Sequence, residues 1–189
     1  MARHGLYGSD AARQVAGLAR TAHRPWPLPA GPWVMGQTWT DLLFAHWPVE
    51  PDVVRPLVPA PLDLDVRDGR AYIGVTPFAV TGLRPRGLPP PPYLSRFPEL
   101  NVRTYVRLGG RPGILFFSLD AARRAAVAVA RLVYRLPYRH AAMQIRSSDG
   151  QISYRSVRRT PDRGTFVGTY RRVGPVVEPQ PGSLEAFLV

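Results

Sequence analysis

One stretch near the middle of the chain carries four polar side chains of different chemistry at alternating positions. It supplies a carboxylate, an amide, a guanidinium and a phenol, from Glu99, Asn101, Arg103 and Tyr105. The alternation predicts a β-strand over Glu99–Arg107, with these four groups on one face. The carboxylate can act as a general acid or base, and the guanidinium can bind a carboxylate or phosphate. Taken by itself, however, the alternation favours a solvated polar face.

A second set of polar side chains follows the clearest helical stretch of the sequence. Ala121–Arg135 has apolar residues at helical spacing, and a strand is predicted after it over Arg139–Arg146. Tyr138 and His140 fall on one face at the start of that strand. His140 can transfer a proton near neutral pH, and a hydrogen-bonded structural His is an equally good interpretation. Tyr138 can also be only the wall of a cavity.

The other ionisable candidates favour structural roles. Asp120 precedes the helix and is better explained as its N-cap than as a catalyst. His46 lies between aromatic residues and is more often a core His than a ligand. The four His are far apart in sequence and there is no Cys, so neither a metal site nor a cofactor is predicted. A Gly-rich phosphate loop and a nucleophile elbow are also missing from the sequence.

Charge is the strongest signal in the composition. The 189 residues carry a net charge of +12, and all 25 basic residues are Arg. Such a balance points first to a partner with phosphates. The Arg residues are spread along the chain, however, and with abundant Ala, Pro and Gly they are typical of a GC-rich genome, so nucleic-acid binding is disfavoured. No signal peptide and no membrane span is predicted, and the expectation is a cytoplasmic protein without membrane contact.

The rest of the chain predicts many short strands and few helices. Residues 1–35 are expected to form an N-terminal arm and a Pro-rich connector, with a short helix over Ala11–Arg20 that is either packed or frayed. Residues 36–189 are expected to form the main domain. Its further predicted strands are Gly36–Val49, Leu62–Val66, Arg70–Thr81, Gly113–Leu119, Gln151–Arg158 and Gly164–Arg172. The second and third of these are predicted to form a hairpin with Asp68-Gly69 as its turn. This pattern predicts a mainly β (α+β) fold, an antiparallel barrel or curved sheet with Ala121–Arg135 as its longest helix.

Several motifs resemble the YqjF-like family of uncharacterised proteins, which is related to the acetoacetate decarboxylase-like superfamily. The resemblance covers roughly residues 36–189. Its motifs are Ser95–Tyr105, Phe116–Ala121, Leu136–His140, Thr76–Phe78 and Pro59–Leu62. The resemblance implies a closed, mainly antiparallel barrel with a central cavity and one helix packed outside.

The resemblance also bears on the chemistry. Acetoacetate decarboxylase works through a Schiff-base Lys that follows a helix and a Pro, with a second Lys beside it. Here Tyr138 and Arg139 stand at those positions, and the 189 residues contain no Lys. Because Tyr cannot form an imine, Schiff-base decarboxylation is excluded. The decarboxylase also uses a cavity Glu, and Glu99 corresponds to it.

The sequence therefore predicts a small carbonyl or carboxylate compound as the ligand, bound in a cavity. The expected acid/base groups are Glu99, Tyr138 and His140, and the expected ligand contacts come from Asn101, Arg103, Tyr105 and Arg139. A non-catalytic protein that binds a small molecule is the alternative, and a nucleic-acid-binding protein is a weaker one. Family members run on beyond Leu184–Val189, so a truncated C-terminus with an exposed sheet edge is expected, and such an edge favours a homo-oligomer.

Overall fold

The computed structural model describes residues 5–22, 24 and 26–189, and most of its regular structure is β-strand. His4 and His23, two of the four His, lie outside the described residues. A single 3-10 turn, Arg55–Leu57, follows the second helix. In chain order the elements are α1 (Gly5–Gly17), β1 (Met35–Thr40), β2 (Ala45–Val49), α2 (Pro51–Val54), β3 (Asp63–Leu64), β4 (Ala71–Pro85), β5 (Phe97–Leu108), β6 (Arg111–Ala121), α3 (Arg124–Tyr134), β7 (Tyr138–Ser148), β8 (Gln151–Arg158), β9 (Thr165–Arg171) and α4 (Leu184–Leu188).

The strands pair in the order β1-β4-β5-β6-β7-β8-β9, with β2 also on β4 and β3 also on β5. The chain divides into two compact units. One unit comprises Met1–Thr40 and Ala79–Phe97, and the other comprises Asp41–Phe78 and Pro98–Val189. Within the described residues, no helix is both long and apolar enough to cross a membrane.

The predicted mainly β fold is confirmed, with one difference in strand direction. β6 and β7 pair in parallel, Leu119 facing Tyr138 and Ala121 facing His140, whereas an antiparallel sheet was expected. Only the last three residues of β6 pair with the first three of β7. The connection through α3 lets β7 start beside the end of β6 and continue in the same direction. The expectation that this helix is the longest is wrong, because α1 has 13 residues and α3 has 11.

Two strand predictions need correction. The predicted long strand Gly36–Val49 is divided into β1 and β2, because Asp41 adopts a positive φ of 52° that a strand does not contain. The predicted hairpin between Leu62–Val66 and β4 forms only the bridge between Arg67 and Arg70. β3 pairs instead with the far end of β5.

In the first unit, α1 is held by the side chain of Gln14. Its amide nitrogen donates to the hydroxyl of Thr38 and to the carbonyl of Gly82, both at 3.1 Å. Its amide oxygen accepts a hydrogen bond from Arg84 Nε at 3.0 Å. A Cβ at Gly36 would lie 2.7 Å from that oxygen, so a larger residue there would require the end of the Gln14 side chain to move. The helix of the arm lies at Gly5–Gly17 and not at the predicted Ala11–Arg20, and Gln14 attaches it to β1 and β4.

In the second unit, α4 packs its aromatic ring against two strands. The Phe187 ring lies 5.1 Å from the Tyr105 ring and 6.0 Å from the Tyr72 ring. Ser183 caps the helix, its hydroxyl accepting a hydrogen bond from the backbone N–H of Ala186 at 3.1 Å. The packing of α4 brings the carbonyl of Leu188 to the polar side chains of β5 that are described next.

Candidate functional site

The polar row of β5 is buried, which excludes the solvated face that alternation alone favoured. Glu99, Asn101, Arg103 and Tyr105 are only 5%, 3%, 6% and 6% exposed. A buried polar group is costly unless it is hydrogen-bonded, and a buried charge more so. The partners of these four side chains therefore decide what the strand can do.

Glu99 is the buried carboxyl at the start of the row. The phenol of Tyr138 donates to both carboxylate oxygens, at 3.3 Å each, and the side chain of Asn101 is also hydrogen-bonded to the carboxylate. Burial raises the pKa of Glu99 to about 7, because the loss of water outweighs the two hydrogen bonds that favour the charged form. Near neutral pH this carboxyl is therefore divided between its two protonation states.

Tyr138 holds the carboxyl of Glu99 from the first residue of β7. The parallel pairing with β6 places it there, since Tyr138 faces Leu119. Burial raises the pKa of its phenol well above the ordinary value, and the neighbouring charge of Glu99 raises it further. Tyr138 therefore stays protonated and remains a hydrogen-bond donor.

Tyr138→Phe is expected to raise the pKa of Glu99 above about 7. The substitution removes a donor that favours the carboxylate, and one such bond corresponds to roughly one pH unit. A carbon-13 NMR titration of the Glu99 carboxyl would measure the change. Tyr93→Phe removes an exposed hydroxyl and serves as the control. An unchanged Glu99 pKa in Tyr138→Phe would show that the phenol does not interact with the carboxylate in solution.

Tyr154 is a buried partner of the site that the sequence analysis missed. It is 1% exposed, and its hydroxyl donates to the backbone carbonyl of Glu99 at 2.7 Å. It thereby fixes the backbone that carries the carboxyl. The sequence of β8 places Ile152, Tyr154 and Ser156 on one face by alternation, and this period-two signal could have identified it. The structure buries Tyr154 and Ser156.

Arg103 and Tyr105 form a second group further along β5. Arg103 Nη2 donates to the Tyr105 hydroxyl at 3.2 Å and to the carbonyl of Leu188 at 3.1 Å. The guanidinium carbon lies 4.9 Å from the centre of the Phe44 ring, a cation–π distance. Among the described residues, Arg103 Nε has no hydrogen-bond partner, and Arg103 forms no ion pair with a carboxylate.

His46 completes this second group. Its Nε2 lies 2.7 Å from the Tyr105 hydroxyl, and that hydroxyl donates its one hydrogen to the carbonyl of Leu188 at 2.5 Å. Nε2 must therefore carry a hydrogen and donate it to the Tyr105 oxygen. Burial lowers the pKa of His46, and the charge of Arg103 lowers it further. His46 was expected to be a core residue, and the structure places it beside the buried polar row instead.

A glycine on β4 makes this close arrangement possible. Gly74 pairs with His46 across the ladder. A Cβ at Gly74 would lie 3.1 Å from the His46 ring and 3.2 Å from Arg103 Cγ. A glycine within a strand can mark a bulge, a weak point or a close approach, so Gly74 by itself did not identify this contact.

The remaining candidates lie away from Glu99. His140 lines a groove with Arg124, Arg131 and Arg159. Arg139 forms an ion pair with Asp162 at 3.3 Å. Within the described part of the chain, neither His140 nor Arg139 contacts the Glu99 carboxyl, so the structure separates them from the residue with which they were grouped.

Asp120 is not the N-cap of the helix, contrary to expectation. It belongs to β6, where it pairs with Leu100, and α3 begins four residues later after Arg123. Its carboxylate accepts hydrogen bonds from Arg158 Nε at 3.0 and 3.2 Å. The strand continues through Asp120 because this buried pair and the ladder satisfy its polar groups. In the described ranges, no three His, Asp or Glu side chains form a group that could hold a metal ion.

The fold is that of the acetoacetate decarboxylase-like proteins. The acetoacetate decarboxylase of Legionella pneumophila superposes with a TM-score of 0.51 at 12% identity, over 71% of this chain and 51% of the other. An acetoacetate decarboxylase-like enzyme from Sphingomonas wittichii RW1 also has a TM-score of 0.51, at 16% identity, over 72% of this chain and 58% of the other. This likeness shows the fold alone.

The chain belongs to the DUF2071 family, described as an uncharacterized conserved protein, whose profile matches residues 36–189. The uncharacterized protein YqjF of Bacillus subtilis (strain 168) is 45% identical over 161 residues, which are 85% of this chain and 66% of that protein. The chain thus spans 66% of this relative's length and a little over half of the solved chains.

Proposed function

We propose that this protein binds a small carbonyl or carboxylate compound beside β5, and that Glu99 exchanges a proton with it without a Schiff base. The observation that carries the proposal is the buried carboxyl of Glu99, whose pKa burial raises to about 7. An acid or base is most effective when its pKa is near the working pH. Perturbed carboxyls of this kind cluster at functional sites.

Two unpartnered polar atoms on the same strand support a ligand at this place. Asn101 Oδ1 and Arg103 Nε are both buried, and neither has a hydrogen-bond partner among the described residues. Buried polar atoms nearly always have one. Arg103 is, moreover, a buried cation without an acidic partner within the described ranges, so an anionic ligand would supply the missing charge.

Each side chain then has a distinct part. Arg103 binds the carboxylate of the ligand, and Asn101 positions Glu99 through its hydrogen bond to the carboxylate. The proton on a carbon next to the ligand carbonyl passes to the Glu99 carboxylate, and the resulting enolate takes a proton back from the same group. Tyr138 holds the carboxylate in place by its one hydroxyl hydrogen, which is shared between the two carboxylate oxygens at 3.3 Å each.

The test has two measurements. NMR follows the incorporation of deuterium into acetoacetate in heavy water, and a titration measures the binding of acetoacetate to the protein. Acetoacetate carries both the carbonyl and the carboxylate. Glu99→Gln is expected to slow enzyme-dependent exchange at least about 100-fold while leaving binding in place. Arg103→Met is expected to weaken binding about tenfold, the size of one lost charged hydrogen bond.

Arg155→Met is the control, because it removes an exposed Arg of β8 and the same charge. Binding without any exchange in the native protein would favour the non-catalytic alternative. Equal exchange in the native protein and Glu99→Gln would contradict the role of Glu99. Equal binding by all the variants would contradict the role of Arg103.

A further inference from the structure

A second polar site lies in the groove between α3 and the start of β7. The groove has a volume of about 330 Å³, within the ~300–1,000 Å³ usual for small-molecule sites. Its lining residues are Arg124, Val127, Ala128, Arg131, His140 and Arg159. None of the groups that build the Glu99 site takes part in it.

The three Arg side chains are held around the groove by the fold. Arg124 and Arg131 are seven residues apart on α3 and therefore lie on one face, two turns from each other. Val127 lies between them and is buried, 7% exposed, so this face is fixed against the sheet. Arg159 is tied to the groove by its backbone N–H, which donates to the carbonyl of His140 at 2.9 Å.

The charge of the groove is not balanced by the protein. Three guanidinium groups line it and no carboxylate does. The nearby Asp162 is already engaged, with Arg158 at 2.9 Å and Arg139 at 3.3 Å. Among the described residues, Arg124, Arg131 and Arg159 form no ion pair. Like charges gathered without a partner repel one another, and a bound anion removes that repulsion.

The surroundings favour an anion with an organic part. The floor between the Arg residues is apolar, formed by Val127 and Ala128. Arg124 is the first residue of α3, and no side chain caps the N-terminus of that helix, which adds partial positive charge at the same end of the groove. Arg159 also lines a neighbouring groove of about 590 Å³ with Arg158 and Arg163, so a ligand longer than one phosphate has room to extend.

We propose that this groove binds a small organic phosphate that carries a diphosphate group. Arg124, Arg131 and Arg159 hold the diphosphate group, and the organic part lies over Val127 and Ala128. Arg suits phosphate because its planar fork of N–H groups matches two phosphate oxygens at once. The site is distinct from the one beside β5 and does not depend on the function proposed for it.

The first experiment is calorimetric titration with inorganic pyrophosphate and with ADP at low salt. The double variant Arg124→Gln with Arg159→Gln is expected to weaken binding of both probes at least tenfold. Arg155→Gln with Arg146→Gln removes the same charge from exposed positions outside the groove and is expected to change it less than twofold. All four Arg side chains that are replaced are exposed, so folding is not at risk, and circular dichroism checks it.

His140 provides a second readout that needs no variant. Burial lowers its pKa, and the charges of Arg124 and Arg159 lower it further, so an anion bound among those charges must raise it. An NMR titration of the native protein with saturating pyrophosphate should therefore show a higher His140 pKa than without it, and no change at His46.

Three results would overturn the proposal. The first is no binding of either probe, together with an unchanged His140 pKa. The second is equal weakening by the two double variants, which would show attraction to net charge alone. The third is tighter binding of duplex DNA than of ADP through the same Arg residues, which would assign the surface to a nucleic acid. Tighter binding of ADP than of pyrophosphate supports the organic part of the assignment, and equal binding overturns that part.

Discussion

Glu99→Gln is expected to gain about 3 kcal/mol of stability, relative to the native protein, as the pH rises from 4.5 to 8. The pKa of the Glu99 carboxyl is raised from its ordinary 4.5 to about 7. In the folded protein the group keeps its proton up to about pH 7, whereas the unfolded chain loses it near pH 4.5. Folding therefore binds a proton in this window, and the contribution of Glu99 to stability falls as the pH rises through it. At about 1.4 kcal/mol for each pH unit, the total is ~3 kcal/mol.

Glutamine has nearly the same shape and no proton to lose, so the variant lacks this dependence. Urea unfolding of both proteins at pH 4.5, 6, 7 and 8 gives the difference in unfolding free energy, in which the titration of His46 and His140 cancels. Glu178→Gln removes an exposed carboxyl, and the pH dependence of its unfolding free energy should match that of the native protein. A constant difference between Glu99→Gln and the native protein would show that the carboxyl titrates normally, and the proposed proton exchange would then lose its support.

Much of the fold could be predicted because its signals are local. The period-two alternation of β5 and the turn residues between strands placed most of the strands within a few residues. The partner of each strand is not a local property. β3 carries no mark of its pairing with β5, and the turn at Asp68–Gly69 pointed to a hairpin with β4 that stops after one bridge. The parallel return of β7 depends on how α3 packs, which alternation does not encode.

The site was predictable where it lies on one strand and not where it joins several. Alternation places Glu99, Asn101 and Arg103 on one face, and the structure buries all three. Tyr154 of β8 donates to the backbone carbonyl of Glu99, and Gly74 of β4 lies close to Arg103, by contacts between residues far apart in sequence. His140 shares a strand face with Tyr138, yet its ring lies in the Arg-lined groove beside α3. A two-residue step along a strand moves a side chain about 7 Å, enough to place it in a different groove.

The second large effect is expected at the ion pair between β6 and β8. Asp120 is 2% exposed and receives two hydrogen bonds from Arg158 Nε, while Arg158 Nη2 donates to Ser118 Oγ at 2.8 Å. Arg158→Met leaves the carboxylate of Asp120 buried without its cation, and breaking a buried pair in this way costs about 3–5 kcal/mol. Urea unfolding at pH 7 measures the loss. Arg155→Met, three residues earlier on β8 and exposed, should cost less than about 1 kcal/mol.

The pH dependence of that loss separates charge from packing. Burial raises the pKa of Asp120 by more than Arg158 lowers it, so removing Arg158 must raise the pKa further. The carboxyl of Arg158→Met then takes up a proton at a higher pH than in the native protein, and protonation relieves the unpaired charge. The destabilisation should therefore be greatest at pH 7 and shrink toward pH 4. Asp120→Leu combined with Arg158→Met removes both charges and should recover most of the stability at pH 7. A cost that stays the same at both pH values, with no recovery in the double variant, would mean that Arg158 stabilises the sheet by packing alone and that its ion pair with Asp120 contributes nothing.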